Sequence, residues 1–325
     1  MSISTKQFIA DVGGTNIRLA VVENGEILQV KKYLCEDFET IKDAIVSFQN
    51  DTITQSFTSG CIAIACPVDK DTVTMTNHSW SFSKIELAEA LGLEKLFVIN
   101  DYTAIAFSLP HLSDKQIIQV GGGKAIEKGN IAVFGPGTGL GVEHITWTSS
   151  GWQTLNGEGG HVDFAPTDET GIVVWRYLTN KLGRVSAEEL LSGRGIVNTY
   201  QALCDHNSIS PRYTQPHEVT AAGVQKEDKV AYDAVSFYCK AMGSFAGNLA
   251  LNLCTTGGVF IAGGITSRIT DFFINSEFRA AFENKGSFSN YVKDIPTFLI
   301  NEPDHGLLGT LAYLQQHLQS RLDHE

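Results

Sequence analysis

Several familiar chemistries are missing from this chain of 325 residues. Its six cysteines, Cys35, Cys61, Cys66, Cys204, Cys239 and Cys254, form no CxxC pair, which excludes a zinc ribbon and a dithiol redox motif. Several lie in apolar runs, where free thiols are usually buried. No basic stretch followed by an apolar one opens the sequence, so no signal peptide is expected. No uninterrupted apolar run reaches the ~18 residues of a membrane span. Positive charge is in deficit: 24 Lys and Arg against 36 Asp and Glu leave a net charge of -12, which argues against nucleic acid or an anionic membrane as partner. A reduced, cytoplasmic protein is the expectation. Three nucleotide-binding signatures are also missing. The chain has no GxxxxGK followed by Ser or Thr, no GxGxxG between a strand and a helix, and no protein-kinase set of glycine loop, HRD and DFG.

What is present is a chain with ample material for packed cores. Hydrophobic residues make up 43% and charged residues 18%, and the length fits two domains of ordinary size. Near the start, the apolar run Phe8-Ile9-Ala10 leads into Asp11-Val12-Gly13-Gly14-Thr15-Asn16 and then into Ile17–Val22. This reads as strand, tight glycine turn, strand. Such a turn presents backbone N–H groups and a hydroxyl to phosphate oxygens, and Asp11 stands where it can hold a cation beside them. A hairpin that merely needs glycines is the alternative. A second turn follows: Ile131–Phe134 runs into Gly135-Pro136-Gly137-Thr138-Gly139-Leu140-Gly141. The pair looks like a distant internal duplication, with one phosphate-facing hairpin in each half.

Between and beyond these turns the chain alternates strand and helix signals. Cys61–Ala65 and Val73–Met75 read as strands. Ser83-Lys84-Ile85-Glu86 has capping-box spacing, opening a helix through Leu91 that Gly92 can close. The strand Leu96–Ile99 ends in Asn100-Asp101, and polar groups at the end of a buried strand in an α/β sheet lie where ligands bind. The chain passes to a second unit near Pro110. That unit contains the glycine-rich stretch 156–164, a second capping-box pattern at Ser186–Glu189, a long helix over about 230–253, and the strand 258–262 followed by Gly263-Gly264. Leu308, Leu311, Leu314, Leu318 and Leu322 fall at helical spacing, predicting a terminal helix that returns to the first domain. The expected domains are 1–110 with 302–325, and 111–301.

These segments together resemble the bacterial glucokinases of the hexokinase type. The resemblance runs essentially end to end. It rests on DVGGTN at 11–16, CIAIACPV at 61–68, MTNHSWSFS at 75–83, IND at 99–101, GPGTGLG at 135–141, GEGGHVDFAP at 157–166, VSAEELLSG at 185–193 and GGVFIAGGI at 257–265. The chain lacks the cysteine-rich zinc motif of the related repressor/open-reading-frame/kinase group. The resemblance implies an α/β fold of the two-domain actin-like ATPase (ribonuclease H-like) class, with a ligand cleft between the domains. It implies ATP-dependent phosphorylation of D-glucose at the 6-hydroxyl, with glucose and ATP as ligands, Mg²⁺ as cofactor, and a homodimer as the assembly.

The resemblance also implies roles, each beside a plainer reading. Asp101 is the expected base toward the attacking hydroxyl; an Asn or Asp there also suits a helix N-cap. Asn100, Asp101, Glu158, His161 and Glu188 are the expected sugar contacts. His161 and Asp163 could instead pair on a metal, but no third ligand is apparent. Glu188 also reads as an acid in the first turn of a helix. With no Walker lysine, Ala10, Asp11, Val12, Gly13, Gly14, Thr15 and Asn16 on one side and Gly137, Thr138 and Gly139 on the other are expected to hold the phosphates, with Gly263 and Gly264 near the adenosine. Gly263-Gly264 also reads as a simple strand-to-helix turn. Asp11 is the expected Mg²⁺ residue, through water. Trp147, Trp152 and Trp175 are expected in the core or an interface. Competing functions are a kinase for another hexose, such as fructose or mannose, and a non-catalytic sugar sensor or regulator. Only about ten residues precede Asp11, too few for the DNA-binding helices of a repressor.

Overall fold

The structure, a computed structural model, describes residues 6–52, 56–76 and 78–319. These divide into two compact units. One comprises the described residues within 1–112, 148–152 and 302–325; the other comprises 113–147 and 153–301.

The first unit opens with β1 (Gln7–Val12), β2 (Asn16–Glu23) and β3 (Glu26–Leu34), then α1 (Ile41–Thr52), β4 (Ser59–Ile64), a small hairpin of β5 (Thr72–Thr74) and β6 (Ser81–Ser83), α2 (Lys84–Ala90), β7 (Lys95–Asn100) and α3 (Asp101–Ser108). Its main sheet has the order β3-β2-β1-β4-β7. β1 and β2 are antiparallel, whereas β1, β4 and β7 run parallel. The period-2 geometry of β1 sends alternate residues into two cores. Phe8, Ala10 and Val12 join Ile41, Ile45 and Phe48 of α1, while Ile9 joins Cys61, Ala63 and Ile99 on the opposite face. β4 is buried along its whole length, as a central parallel strand must be.

The second unit contains β8 (Ile117–Gln119), β9 (Ile131–Pro136), β10 (Leu140–Thr148), β11 (Gly151–Thr154), β12 (Gly258–Ile261) and β13 (Thr297–Ile300) in the order β11-β10-β9-β12-β13-β8. Its helices are α4 (Glu169–Leu182), α5 (Gly193–His206), α6 (Pro216–Val224), α7 (Lys229–Leu253) and the short α8 (Gly264–Arg268), α9 (Thr270–Ile274), α10 (Phe278–Glu283) and α11 (Ser289–Val292). Asp228 starts α7 by accepting the Ala231 N–H at 2.9 Å. The apolar face of α7, with Val235, Met242 and Ala246, forms much of this unit's core. β11-β10-β9-β12-β13 repeats the order of β3-β2-β1-β4-β7, and β10-β9-β12-β13 repeats the strand directions of β2-β1-β4-β7, so the two glycine hairpins occupy equivalent places in the two sheets.

The last element, α12 (His305–Gln319), belongs to the first unit. Leu307 and Leu314 enter the Ile9 core. Gly309 lies so close to the Ala104 carbonyl of α3 that any Cβ there would overlap it. Leu322, counted in the sequence pattern, lies outside the described residues.

Some local expectations need correction. Ser83 does cap α2, accepting the Glu86 N–H at 3.1 Å, but Asp71 takes the Ile85 N–H. Ser186 makes no cap: residues Ala187–Glu189 form a single 3₁₀ turn, and the following helix starts at Gly193 under a Ser192 cap. The spacing was right for a capping box, but three residues on, Glu189 turns to Arg194 and Asn198. Of the three tryptophans expected in the core or an interface, Trp152 is buried, while Trp147 and Trp175 are 40% and 39% exposed.

Candidate active site

Within the first unit, β1 delivers Ala10, Asp11 and Val12 to the turn. Ala10 and Val12 are buried; Asp11, on the other face, is partly exposed. The Gly13 N–H closes the hairpin onto the Asn16 carbonyl at 2.9 Å. It is therefore engaged within the turn. The N–H groups of Gly14 and Thr15 have no acceptor among the described residues. A Cβ on Gly13 would meet only the Asn16 carbonyl, at 3.7 Å, so the space over the turn is open. Asp11 pairs across the hairpin with Arg18, whose Nη2 donates to Asp11 Oδ2 at 2.5 Å.

Asp101 is the first residue of α3, at the carboxyl end of β7. Asn100 is the N-cap: its side-chain oxygen accepts the Tyr102 N–H at 2.9 Å, and its amide donates to the Cys66 carbonyl at 3.3 Å. Both ends of the Asn100 amide are thus engaged, with one N–H remaining. Burial pushes the Asp101 carboxyl up to about 6; the Tyr102 N–H opposes this, the nearby Asp11 charge adds to it, and the Asp101 N–H and Asn100 amide oppose it. A carboxylate with this affinity is ionised at neutral pH and a better proton acceptor than an exposed aspartate.

In the second unit, Pro136 ends β9 and Gly137-Thr138-Gly139 turns the chain into β10. The Gly137 N–H is spent on the Gly139 carbonyl at 2.9 Å, leaving the amides of Thr138 and Gly139 open. A Cβ on Gly137 would meet nothing within 4 Å. Gly139 is constrained differently: a Cβ there would stand 2.6 Å from Glu188 Oε2. That same oxygen accepts the Leu140 N–H at 2.9 Å, and Oε1 lies 3.3 Å from Arg194 Nη2. The expected sugar carboxylate is therefore fixed directly against the second glycine turn.

Glu158 and His161 bracket a 3₁₀ turn, closed by the His161 N–H on the Glu158 carbonyl at 3.0 Å. Both side chains are exposed and have no partner among the described residues. Asp163 pairs with Arg184 at 2.8 Å. Among the described residues no group of three His, Cys, Asp or Glu could hold a metal ion. A cavity of about 500 Å³ lies behind the Glu158 loop along α7, lined by His144, Phe164 and Phe245; neither His161 nor Glu188 reaches it. Gly263 has a structural reason of its own. It adopts φ +100° at the start of α8, and a Cβ would come within 2.5 Å of the Pro136 carbonyl, whereas Gly264 faces open space.

Sequence reasoning passed over Arg18 and Arg194. Arg18 was within reach, because a hairpin centred on Gly14-Thr15 pairs residue 18 with residue 11.

Two equivalent sheets, each opening on a glycine hairpin, define a two-domain actin-like ATPase of the sugar-kinase kind. A family profile described as glucokinase matches residues 8–317. The chain is 46% identical over 316 residues to a glucokinase of Tolumonas auensis, covering 97% of this chain and 98% of that one. Glucokinase from an Antarctic psychrotroph superposes with a TM-score of 0.90 at 30% identity, over 95% of this chain and 98% of that one. A glucokinase of Balamuthia mandrillaris, solved with glucose, shares the fold at a TM-score of 0.76 and 22% identity, over 95% and 93% of the two chains. The chain belongs to the glucokinase family, and its activity is ATP-dependent phosphorylation of glucose.

Proposed function

We propose that the protein transfers the γ-phosphoryl of ATP to the 6-hydroxyl of D-glucose, with Asp101 as the base. The observation that carries this reading is the half-buried Asp101 carboxylate at the end of β7, raised to about 6 by burial and still ionised at neutral pH. It accepts the 6-hydroxyl proton as the oxygen attacks phosphorus. Such transfer asks for positioning and charge stabilisation more than covalent participation by the protein.

Asn100, Glu158, His161 and Glu188 orient the sugar. Each ring hydroxyl can donate and accept, and this set offers two carboxylate acceptors, an imidazole and the free N–H of an amide. The open amides of Gly14, Thr15, Thr138 and Gly139, with the hydroxyls of Thr15 and Thr138, hold the phosphates, and Gly264 leaves room for the nucleoside. Asp11 is the residue that would hold Mg²⁺. Its Oδ1 accepts no hydrogen bond among the described residues, and a single carboxylate suits an ion that keeps its waters and relies on the phosphates for further ligands. When bound, that ion supplies charge neutralisation across the β- and γ-phosphates.

A homodimer and a cytoplasmic location belong to the same proposal; among the described residues no helix is long and apolar enough to cross a membrane. The decisive assay is sugar-dependent ADP release with and without Mg²⁺, across glucose, fructose and mannose. Glucose and Mg²⁺ should both be required. Equal turnover on fructose or mannose would point to a general hexose kinase, and no ADP release with any sugar would point to a sensor.

A further inference from the structure

One side chain in the first unit joins the first hairpin to a segment near the other end of the chain. Arg18 stands on β2 opposite Asp11 on β1. One arm of its guanidinium donates to Asp11 Oδ2 at 2.5 Å. The other arm donates to Asp304 Oδ1 at 2.7 Å and to the Pro303 carbonyl at 3.1 Å, 286 and 285 residues away. Asp304 immediately precedes α12, and its carbonyl accepts the Leu308 N–H at 3.1 Å. In the first turn of that helix, Gly306 leaves room for the Asp11 carboxylate: a Cβ there would stand 2.8 Å from Oδ2. Farther along, Gly309 lies against Ala104 of α3, the helix that Asp101 begins.

Arg18 does more than balance one charge. A planar guanidinium with two engaged arms sets both the distance and the direction of its partners, which a lysine cannot do. It occupies Oδ2 of Asp11 and leaves Oδ1 uncommitted, so the carboxylate can take one further partner in a fixed direction. Through Asp304 it also ties the phosphate hairpin to the helix that buttresses α3. We propose that Arg18 is a positioning residue for the nucleotide half of the reaction. It holds the Asp11 carboxylate in register with α12, so that Asp11 presents one oxygen to the magnesium-bound phosphates. This rests on the reading that Asp11 holds the metal.

The test uses the full chain with Arg18→Met, Arg18→Lys, Asp304→Asn and Asp11→Asn. ADP binding is measured by calorimetry with and without Mg²⁺, and glucose binding by tryptophan fluorescence without nucleotide. Residues that orient a metal ligand typically contribute about 10- to 100-fold to metal affinity. Arg18→Met should weaken Mg²⁺-dependent ADP binding by about that factor, with ADP binding in the absence of Mg²⁺ changing far less. Glucose binding should stay within about twofold, because its contacts are elsewhere. Arg18→Lys should recover part of the loss, and Asp304→Asn should shift the same quantity by less. Adding Asp304→Asn to Arg18→Met should change nothing further, since Asp304 acts through Arg18. The proposal is overturned if Arg18→Lys and Arg18→Met leave the Mg²⁺-dependent affinity unchanged, or weaken glucose binding by the same factor. If Arg18→Met does not fold, Arg18→Lys alone decides. Asp11→Asn separates the two ideas: a loss there with silent Arg18 variants removes only Arg18, whereas a silent Asp11→Asn removes the metal reading and the Arg18 proposal together.

Discussion

Replacing Asp101 with asparagine should make the ligand-free protein more stable while nearly abolishing turnover. The carboxyl is held at about 6 against an ordinary 3.8, chiefly because folding takes it out of water. At about 1.4 kcal/mol per pH unit, ionising it in the folded state costs up to about 3 kcal/mol at pH 8. The sign follows from proton binding. Because the folded-state value is raised, the folded protein binds the proton more tightly, so this group favours folding below about 4 and that benefit is lost as pH rises through about 6. Asparagine keeps the shape and a carbonyl acceptor for the Tyr102 N–H but never carries the charge. Urea unfolding of both proteins at pH 8, 5 and 4 measures the effect. Asp101→Asn should be the more stable at pH 8 by up to about 3 kcal/mol, by about half that at pH 5, and by little at pH 4. Turnover should fall by about 100-fold or more, as for loss of a general base. A variant less stable than the parent at pH 8, or a difference that does not shrink toward pH 5, would refute the reasoning.

Three further outcomes are expected. The kcat/KM for glucose should fall about tenfold per pH unit below about 6, where the proton acceptor is lost; a profile flat to pH 4.5 would remove Asp101 from that role. Glu188→Gln should lower kcat/KM for glucose by about 100-fold or more, because a carboxylate fixed by the Leu140 N–H and Arg194 is replaced by a group that cannot accept at both oxygens; steady-state kinetics with unchanged values would contradict its place in the sugar site. Gly309→Ala should destabilise the protein by about 1–3 kcal/mol or more, since its methyl overlaps the Ala104 carbonyl; an unaltered melting temperature would show that α12 and α3 can separate freely.

The two glycine hairpins were legible because everything that makes them is local. An apolar strand, a glycine turn and a second strand lie within about a dozen residues, and the strand period of two dictates which side chains share a face. The same holds for Asn100, whose cap on α3 is made with a residue two positions on. What failed did so where a side chain chose a distant partner over a near one. Ser186-Ala187-Glu188-Glu189 has capping-box spacing, yet Glu188 turns to the Leu140 N–H, 48 residues back, and Glu189 to Arg194. Local spacing gives the menu of partners, and packing selects among them.

The glycines divide in the same way. Sequence placed Gly13, Gly137 and Gly139 together at the phosphates and Gly263 near the adenosine. Tertiary structure separates them: Gly13 and Gly137 leave space open, Gly139 yields to Glu188, and Gly263 turns the chain under the Pro136 carbonyl.

The sequence alone placed residues at strand ends and in glycine turns, through hydrophobic period and turn chemistry, and pointed to the class of fold and the reaction through the motifs that resemble the glucokinases. Only the tertiary structure decided which amides of each turn remain open, that Glu188 braces the second glycine turn, and that Arg18 bridges Asp11 to Asp304. Those are contacts across tens to hundreds of residues. Their partners are set by how sheets and helices pack, and no pattern of neighbours along the chain encodes that distance.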